Sequence, residues 1–171
     1  MEVLQRNFGP ARSGENTVFG ARRPGYSLAN PSEDVPGWIA FMRSNKIARV
    51  CCLLDDRQLG LYADGLLDSY VREFGKQSVC AAPIPDFRVC PTSLFKGKVL
   101  PFFREADEDG SRVVVHCSYG SGRTGHILAA WLVAGRGLAP EAAAVSVEEA
   151  GPERFPFEAG HKEVFAFLSS L

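Results

Sequence analysis

Between Arg112 and Gly135 the chain passes through three consecutive valines, a loop of glycine, serine and cysteine, and a helix-length segment that is apolar nearly all round. The valine run, Arg112 to His116, reads as a strand buried on both faces. The segment Gly122 to Gly135 carries Ile127, Leu128, Trp131, Leu132 and Val133, and so has no polar face to offer water. A buried strand leading straight into a buried helix needs strands beside the one and packed layers around the other. An α/β fold with right-handed crossovers and a mainly parallel central sheet meets both demands.

The rest of the sequence supplies those neighbours. Ile47 to Leu54 is a second doubly buried strand, and Val79 to Ile84 is a third, ended by Pro85. Trp38 to Arg43 reads as a short helix. Leu59 to Phe74 reads as one helix with two adjoining apolar stripes, closed by Gly75. Thr92 or Ser93 can cap a helix running to about Glu105, followed by an acidic turn from Asp107 to Ser111. Pro140 opens a helix to about Ala150, and Glu158 to Leu171 forms the last. Residues 1–37 contain Pro10, Pro24, Pro31 and Pro36. They read as a loosely structured N-terminal arm with a short strand near Thr17 to Ala21 and an exposed turn at Arg23-Pro24-Gly25. With 171 residues, the expectation is a single domain spanning 1–171.

Composition narrows the function classes. A formal net charge of -1 argues against a nucleic-acid binder that works by bulk positive charge. No apolar run approaches the length needed to span a bilayer, and the first ten residues lack the apolar stretch of a secretory signal. The five cysteines, Cys51, Cys52, Cys80, Cys90 and Cys117, are odd in number and form no Cys-x-x-Cys pair. Free thiols, no structural metal and a reducing, cytoplasmic location are expected, for a protein that acts as a monomer.

The chemistry concentrates in His116-Cys117-Ser118-Tyr119-Gly120-Ser121-Gly122-Arg123-Thr124-Gly125. A loop between a strand and a helix can turn its backbone N–H groups onto one point, making an anion nest, and the helix N-terminus adds its dipole. Cys117 begins that loop. Arg123 brings a fork able to hold two phosphate oxygens. Each of these favours a thiolate over a thiol.

The segment resembles the signature His-Cys-x5-Arg-Thr-Gly of cysteine-dependent protein-tyrosine and dual-specificity phosphatases, here of the compact type similar to the kinase-associated phosphatase group. The resemblance implies a phosphate loop with Cys117 as nucleophile. Ser118, Tyr119, Gly120, Ser121, Gly122 and Arg123 would cradle phosphate, Thr124 would steady the thiolate, and His116 would support the loop. It also implies a general acid upstream. Pro83-Ile84-Pro85-Asp86-Phe87 fits that place, making Asp86 the expected proton donor, with Asp56 as an alternative. No metal or other cofactor is implied. Related enzymes often place a glutamine late in the chain to hold the hydrolytic water. The stretch Arg154 to His161 has none, leaving Glu158 or His161 as substitutes.

None of the five residues between Cys117 and Arg123 is charged, which disfavours substrates bearing several phosphates. A phosphoprotein is the expected partner, its phosphotyrosine and also phosphoserine or phosphothreonine being removed through a phosphocysteine. A small-molecule phosphate, an RNA 5′-phosphate, or a weakly catalytic phosphate-binding adaptor remain alternatives. Arg22, Arg23 and Arg88 are candidate rim residues. Cys51 or Cys52, on a strand beside Cys117, is a candidate redox partner.

Overall fold

The computed structural model describes residues 5–151 and 153–171; Met1 to Leu4, part of the N-terminal arm read from sequence, and Pro152 lie outside the described residues. Among the described residues five strands form one sheet: β1 (Gly9–Pro10), β2 (Val18–Arg22), β3 (Ile47–Cys52), β4 (Val79–Ala81) and β5 (Arg112–Cys117). Their order is β1-β2-β5-β3-β4. Among the described residues only the β1–β2 pairing is antiparallel; β2–β5, β5–β3 and β3–β4 are parallel, as the alternation of strands and helices predicts.

The valine strand β5 lies at the centre, and its side chains alternate between two apolar layers. Val113, Val115 and Cys117 face a cluster containing Ile127, Leu128, Trp131 and Phe103. Val114 faces a second, containing Trp38, Phe41 and Tyr70. The first layer holds the rod made of α4 (Thr92–Leu94), a π-turn (Phe95–Val99) and α5 (Leu100–Asp109). It also holds α6 (Gly122–Arg136), α7 (Pro140–Ala150) and α8 (His161–Ser169). The second holds α1 (Val35–Ser44) and α3 (Leu66–Phe74). Helix α6 is buried from Gly122 through Leu132, the central position that its lack of a polar face requires.

Three expectations are corrected. The helix read over Leu59 to Phe74 begins only at Leu66, as α3: a separate turn, α2 (Asp56–Leu59), ends at Gly60, and Gly65, with φ +73°, stands immediately before α3. The acidic turn at Asp107 to Ser111 is instead the last turn of α5, closed by Gly110 in the left-handed conformation. The N-terminal arm is not loose. Strand β2 pairs along its length with β5, and Arg136 binds Glu15 (2.9 Å) and Asp107 (2.6 Å) while stacking on Trp131. That network staples residues 15–17 to the ends of α5 and α6.

Two buried histidines should make the fold acid-labile. His116 Nδ1 lies 3.2 Å from the Cys117 carbonyl, which can only accept, so Nδ1 carries the proton and Nε2 accepts from Tyr70 Oη at 3.0 Å. His126 likewise donates from Nδ1 to the Gly122 carbonyl, while its Nε2 accepts the Cys90 N–H at 3.1 Å. Burial pulls both rings from the ordinary 6.5 down to about 4. The unfolded chain therefore takes up these protons near pH 6.5 and the folded chain only near 4. Stability fully present above pH 6.5 is lost as pH falls toward 4, by on the order of 3 kcal/mol per histidine. The melting temperature should fall steeply across that window in a calorimetric series; a melting temperature that stays flat down to about pH 4 contradicts this.

Candidate active site

The loop Cys117 to Gly122 leaves the carboxyl end of β5, where parallel sheets place their ligands. Cys117 is 3% exposed. Its sulfur accepts the Gly120 N–H at 3.3 Å and the Thr124 hydroxyl at 3.1 Å. Gly120 has φ +83°, and a Cβ there would lie 2.6 Å from the Ala21 carbonyl oxygen; only glycine lets the loop turn this close to β2. Asn7 holds the loop from behind, donating to the carbonyls of Gly120 (3.1 Å) and Tyr119 (3.4 Å).

Arg123 is 3% exposed, and three elements fix its fork. Nη1 donates to Gln58 Oε1 at 2.8 Å and to the Ile84 carbonyl at 2.9 Å, while Nη2 lies 3.2 Å from Asp86 Oδ1. Gln58 also closes a capping box with Asp55, accepting its N–H while the Asp55 carboxylate accepts the Gln58 N–H. Asp86 lies on the loop after β4, its side chain 47% exposed and accepting the Phe87 N–H. Phe87 is 66% exposed and has φ +59°. His126 ties the far end of that loop, at Cys90, to α6.

Together these residues enclose a cavity of about 210 Å³. Cys117, Ser118, Gly122 and Arg123 line it from the loop, Asp86 and Phe87 from the acid-bearing segment, and Tyr26, Tyr119 and Glu158 close the rest. Glu158 folds over Gly122, where a Cβ would meet its Cδ at 2.9 Å. A larger hollow of about 410 Å³, running from Ser32 to Arg72, is lined by neither cysteine nor histidine.

The structure thus brings Cys117, Ser118, Tyr119, Gly122, Arg123 and Asp86 to one cavity, with Thr124 and Gly120 on the sulfur and His116 behind it. Ser121 is buried. Asp56 sits exposed in the first turn of α2 and is not among the cavity's lining residues. His161 stacks between Phe157 and Phe165, whereas Glu158 reaches the cavity. Arg88 is exposed. Arg22 lies over Tyr119 and pairs with Glu153 at 3.0 Å, and Arg23 donates to Ser118 Oγ at 3.1 Å. Cys51 is in register with Cys80 and Val115, and the neighbouring Cys80 thiol together with burial pushes the Cys51 thiol up. Cys52 belongs to the opposite apolar layer from Cys117, and burial pushes its thiol up to about 12.

Sequence reading missed Gln58, Asn7 and His126. Gln58 had a signal, the Asp-x-x-Gln capping box; the other two act through main-chain atoms of distant segments.

A family model described as a polymorphic toxin system DSP-PTPase phosphatase matches residues 32–136, well over half of the chain. Solved structures share the fold. Tk-PTP in its active form superposes with a TM-score of 0.71 at 24% identity, over 92% of each chain. PTPMT1 gives 0.69 at 14% identity, over 95% of this chain and 94% of its own. The kinase associated phosphatase KAP gives 0.69 at 18% identity, over 88% and 83%.

Proposed function

The chain belongs to the DSP-PTPase phosphatase family of polymorphic toxin systems, and on that premise we propose that it dephosphorylates proteins, phosphotyrosine first, through a phosphocysteine at Cys117. The observation that carries this reading is the cavity floor. A cysteine sulfur holding two hydrogen-bond donors lies in the same 210 Å³ cavity as an arginine whose fork is already paired with a carboxylate.

The reaction runs in two displacements. Phosphate enters the loop and takes the free N–H groups and the Arg123 fork, displacing Asp86 from it. The Cys117 thiolate attacks phosphorus, and the P–O ester bond breaks. Asp86 gives its proton to the departing oxygen, which leaves as an alcohol or phenol. Water then attacks phosphorus from the vacated side, its proton passes to Asp86, and the S–P bond breaks to restore the thiolate. Thr124 steadies the sulfur as it leaves. Glu158, in the place where related enzymes carry glutamine, holds that water. His116 is the neutral support of the Cys117 carbonyl, and burial denies it a proton-shuttle role near neutral pH.

Aromatic side chains favour an aryl ester. Tyr26, Tyr119 and Phe87 line the cavity, two of them exposed at its mouth, and suit a phenol ring better than an alkyl chain. Residues 118–122 are uncharged and the Arg22 charge is met by Glu153, which disfavours a substrate with several phosphates. PTPMT1, of similar fold, was solved in complex with PI(5)P, so the comparison worth making is with that lipid. Assayed side by side in excess chelator, a phosphotyrosine peptide should turn over fastest, a phosphoserine peptide more slowly, and PI(5)P least. Turnover confined to PI(5)P, or activity that vanishes with chelator and returns with a divalent ion, contradicts the proposal.

A further inference from the structure

Arg154 is a buried cation with no carboxylate partner among the described residues. It is 1% exposed. Its guanidinium donates only to main-chain carbonyls: Nη1 to Pro10 at 3.2 Å, and Nη2 to Gly9 at 3.1 Å, Gly20 at 3.2 Å and Asn7 at 3.3 Å. Its Nε has no partner. The other buried arginines differ. Arg49 faces Glu105 and Asp109 and Arg123 faces Asp86, as the half-buried Arg136 faces Glu15 and Asp107. Burying a charge without its opposite costs several kcal/mol, and carbonyl dipoles return only part of that. The fold thus holds a positive charge whose counter-ion must be sought nearby.

The surroundings lead to the phosphate loop. Gly20, one of the carbonyls Arg154 binds, is in register with Val115, two residues before Cys117. A Cβ on Gly20 would lie 2.8 Å from the Thr124 methyl and 3.1 Å from the Arg154 guanidinium carbon, so the two side chains converge on one spot. Thr124 is the residue whose hydroxyl reaches the Cys117 sulfur. Asn7, whose carbonyl accepts from Arg154, is the residue that draws the Gly120 and Tyr119 carbonyls backward. Of the ionisable groups around Cys117, Asp86 is engaged by Arg123, Glu158 is exposed at the cavity and Tyr119 is bonded to Glu153. His116 and Cys52 are neutral. Burial pulls Arg154 down to about 10, and negative charge on Cys117 is what opposes that pull.

We propose that Arg154 is a positioning residue of the site, a second cation fixed beneath the phosphate loop whose counter-ions are the Cys117 thiolate and the phosphate held over it. It touches neither sulfur nor substrate. It acts through the field it sets in a poorly screened interior, where a fixed charge reaches further than it does in water. It lies outside the span matched by the family model. The proposal rests on the reading above only in requiring that Cys117 ionise.

The test reads ionisation directly and needs no turnover. Arg154→Met, Arg154→Gln and Arg154→Lys are compared with the wild type by iodoacetamide alkylation of Cys117 followed over a pH series, mapped by mass spectrometry, and by calorimetric titration with inorganic phosphate. Removing the charge should slow alkylation about 10-fold on the acid limb of that series, where the rate follows the thiolate fraction, and weaken phosphate binding in step, with Lys staying within about twofold of the wild type. The Gln variant keeps an amide donor for the carbonyls, which covers the case of a Met variant that does not fold. Wild-type alkylation in a folded Met or Gln variant with only a lowered melting temperature overturns the proposal. So does a Lys variant as slow as Met, since geometry rather than charge would then be at issue. A wild-type protein that turns over no phosphate ester sinks the phosphatase reading instead and leaves this readout intact.

Discussion

Cys117→Ser should lower turnover of an aryl phosphate by roughly 10⁴-fold or more, while inorganic phosphate still binds. A hydroxyl in the place of the thiol is not ionised near neutral pH, so the nucleophile is lost. The phosphate site survives, because Asn7 holds the Gly120 carbonyl from behind and the Arg123 fork does not depend on sulfur for its position. Arg123 is held by Gln58 and by the Ile84 carbonyl, on segments separate from Cys117. Arg123→Lys should fail differently. A single ammonium cannot bond Gln58 and Ile84 and still present two parallel donors to phosphate. Binding and turnover should fall together, turnover by roughly 10²–10³. Steady-state kinetics and calorimetric phosphate titration separate the two variants. A Cys117→Ser protein that keeps its activity ends the covalent mechanism.

Asp86→Asn should produce a loss that depends on the leaving group. A phosphoserine alkoxide cannot depart without a proton, so phosphopeptide hydrolysis should slow by roughly 10²–10⁴. A strongly acidic phenol departs almost unaided, and its ester should lose far less. Plotted against leaving-group acidity over a series of aryl phosphates, the variant should show a steeper slope than the wild type. Asp86 also pairs with Arg123 at 3.2 Å in the free site, so the substitution releases the fork for phosphate, and binding should not weaken. Equal loss across the whole series would mean that Asp86 only shapes its loop.

The sequence carried the sheet better than the helices. Runs such as Val113 to Val115 and Val50 to Cys52 leave no face for water and so can lie only in the interior of a sheet. The third strand was read to Ile84. Its regular part ends at Ala81, but the chain stays extended, with Ala82 and Ile84 donating to the Cys52 and Leu53 carbonyls. The helix over Leu59 to Phe74 was misread because apolar spacing outweighed a local signal, the Asp64-Gly65 pair that stands immediately before α3. In the site, the residues expected to act by their own chemistry were legible: Cys117, Arg123 and Thr124 from a spacing that strand-loop-helix geometry makes meaningful, and Asp86 from the resemblance. Those that act through the backbone were not. Asn7 and Arg154 bind carbonyls at sequence separations above a hundred residues, and a carbonyl carries no mark of the side chain that will find it. The arm was read as loose because its prolines and glycines were visible, while the tie from Glu15 to Arg136 spans 121 residues.

The central claim is the covalent intermediate, and trapping it is the most direct test. The protein is mixed with excess phosphotyrosine peptide, quenched in acid within the first turnover, and mapped by mass spectrometry. The account predicts one added phosphoryl group on the peptide containing Cys117, formed no slower than phenol is released and decaying as phosphate appears; Glu158→Ala should make it accumulate. Phosphate released at the full single-turnover rate, with no phosphoryl group ever found on Cys117 or with one found on another residue, contradicts it.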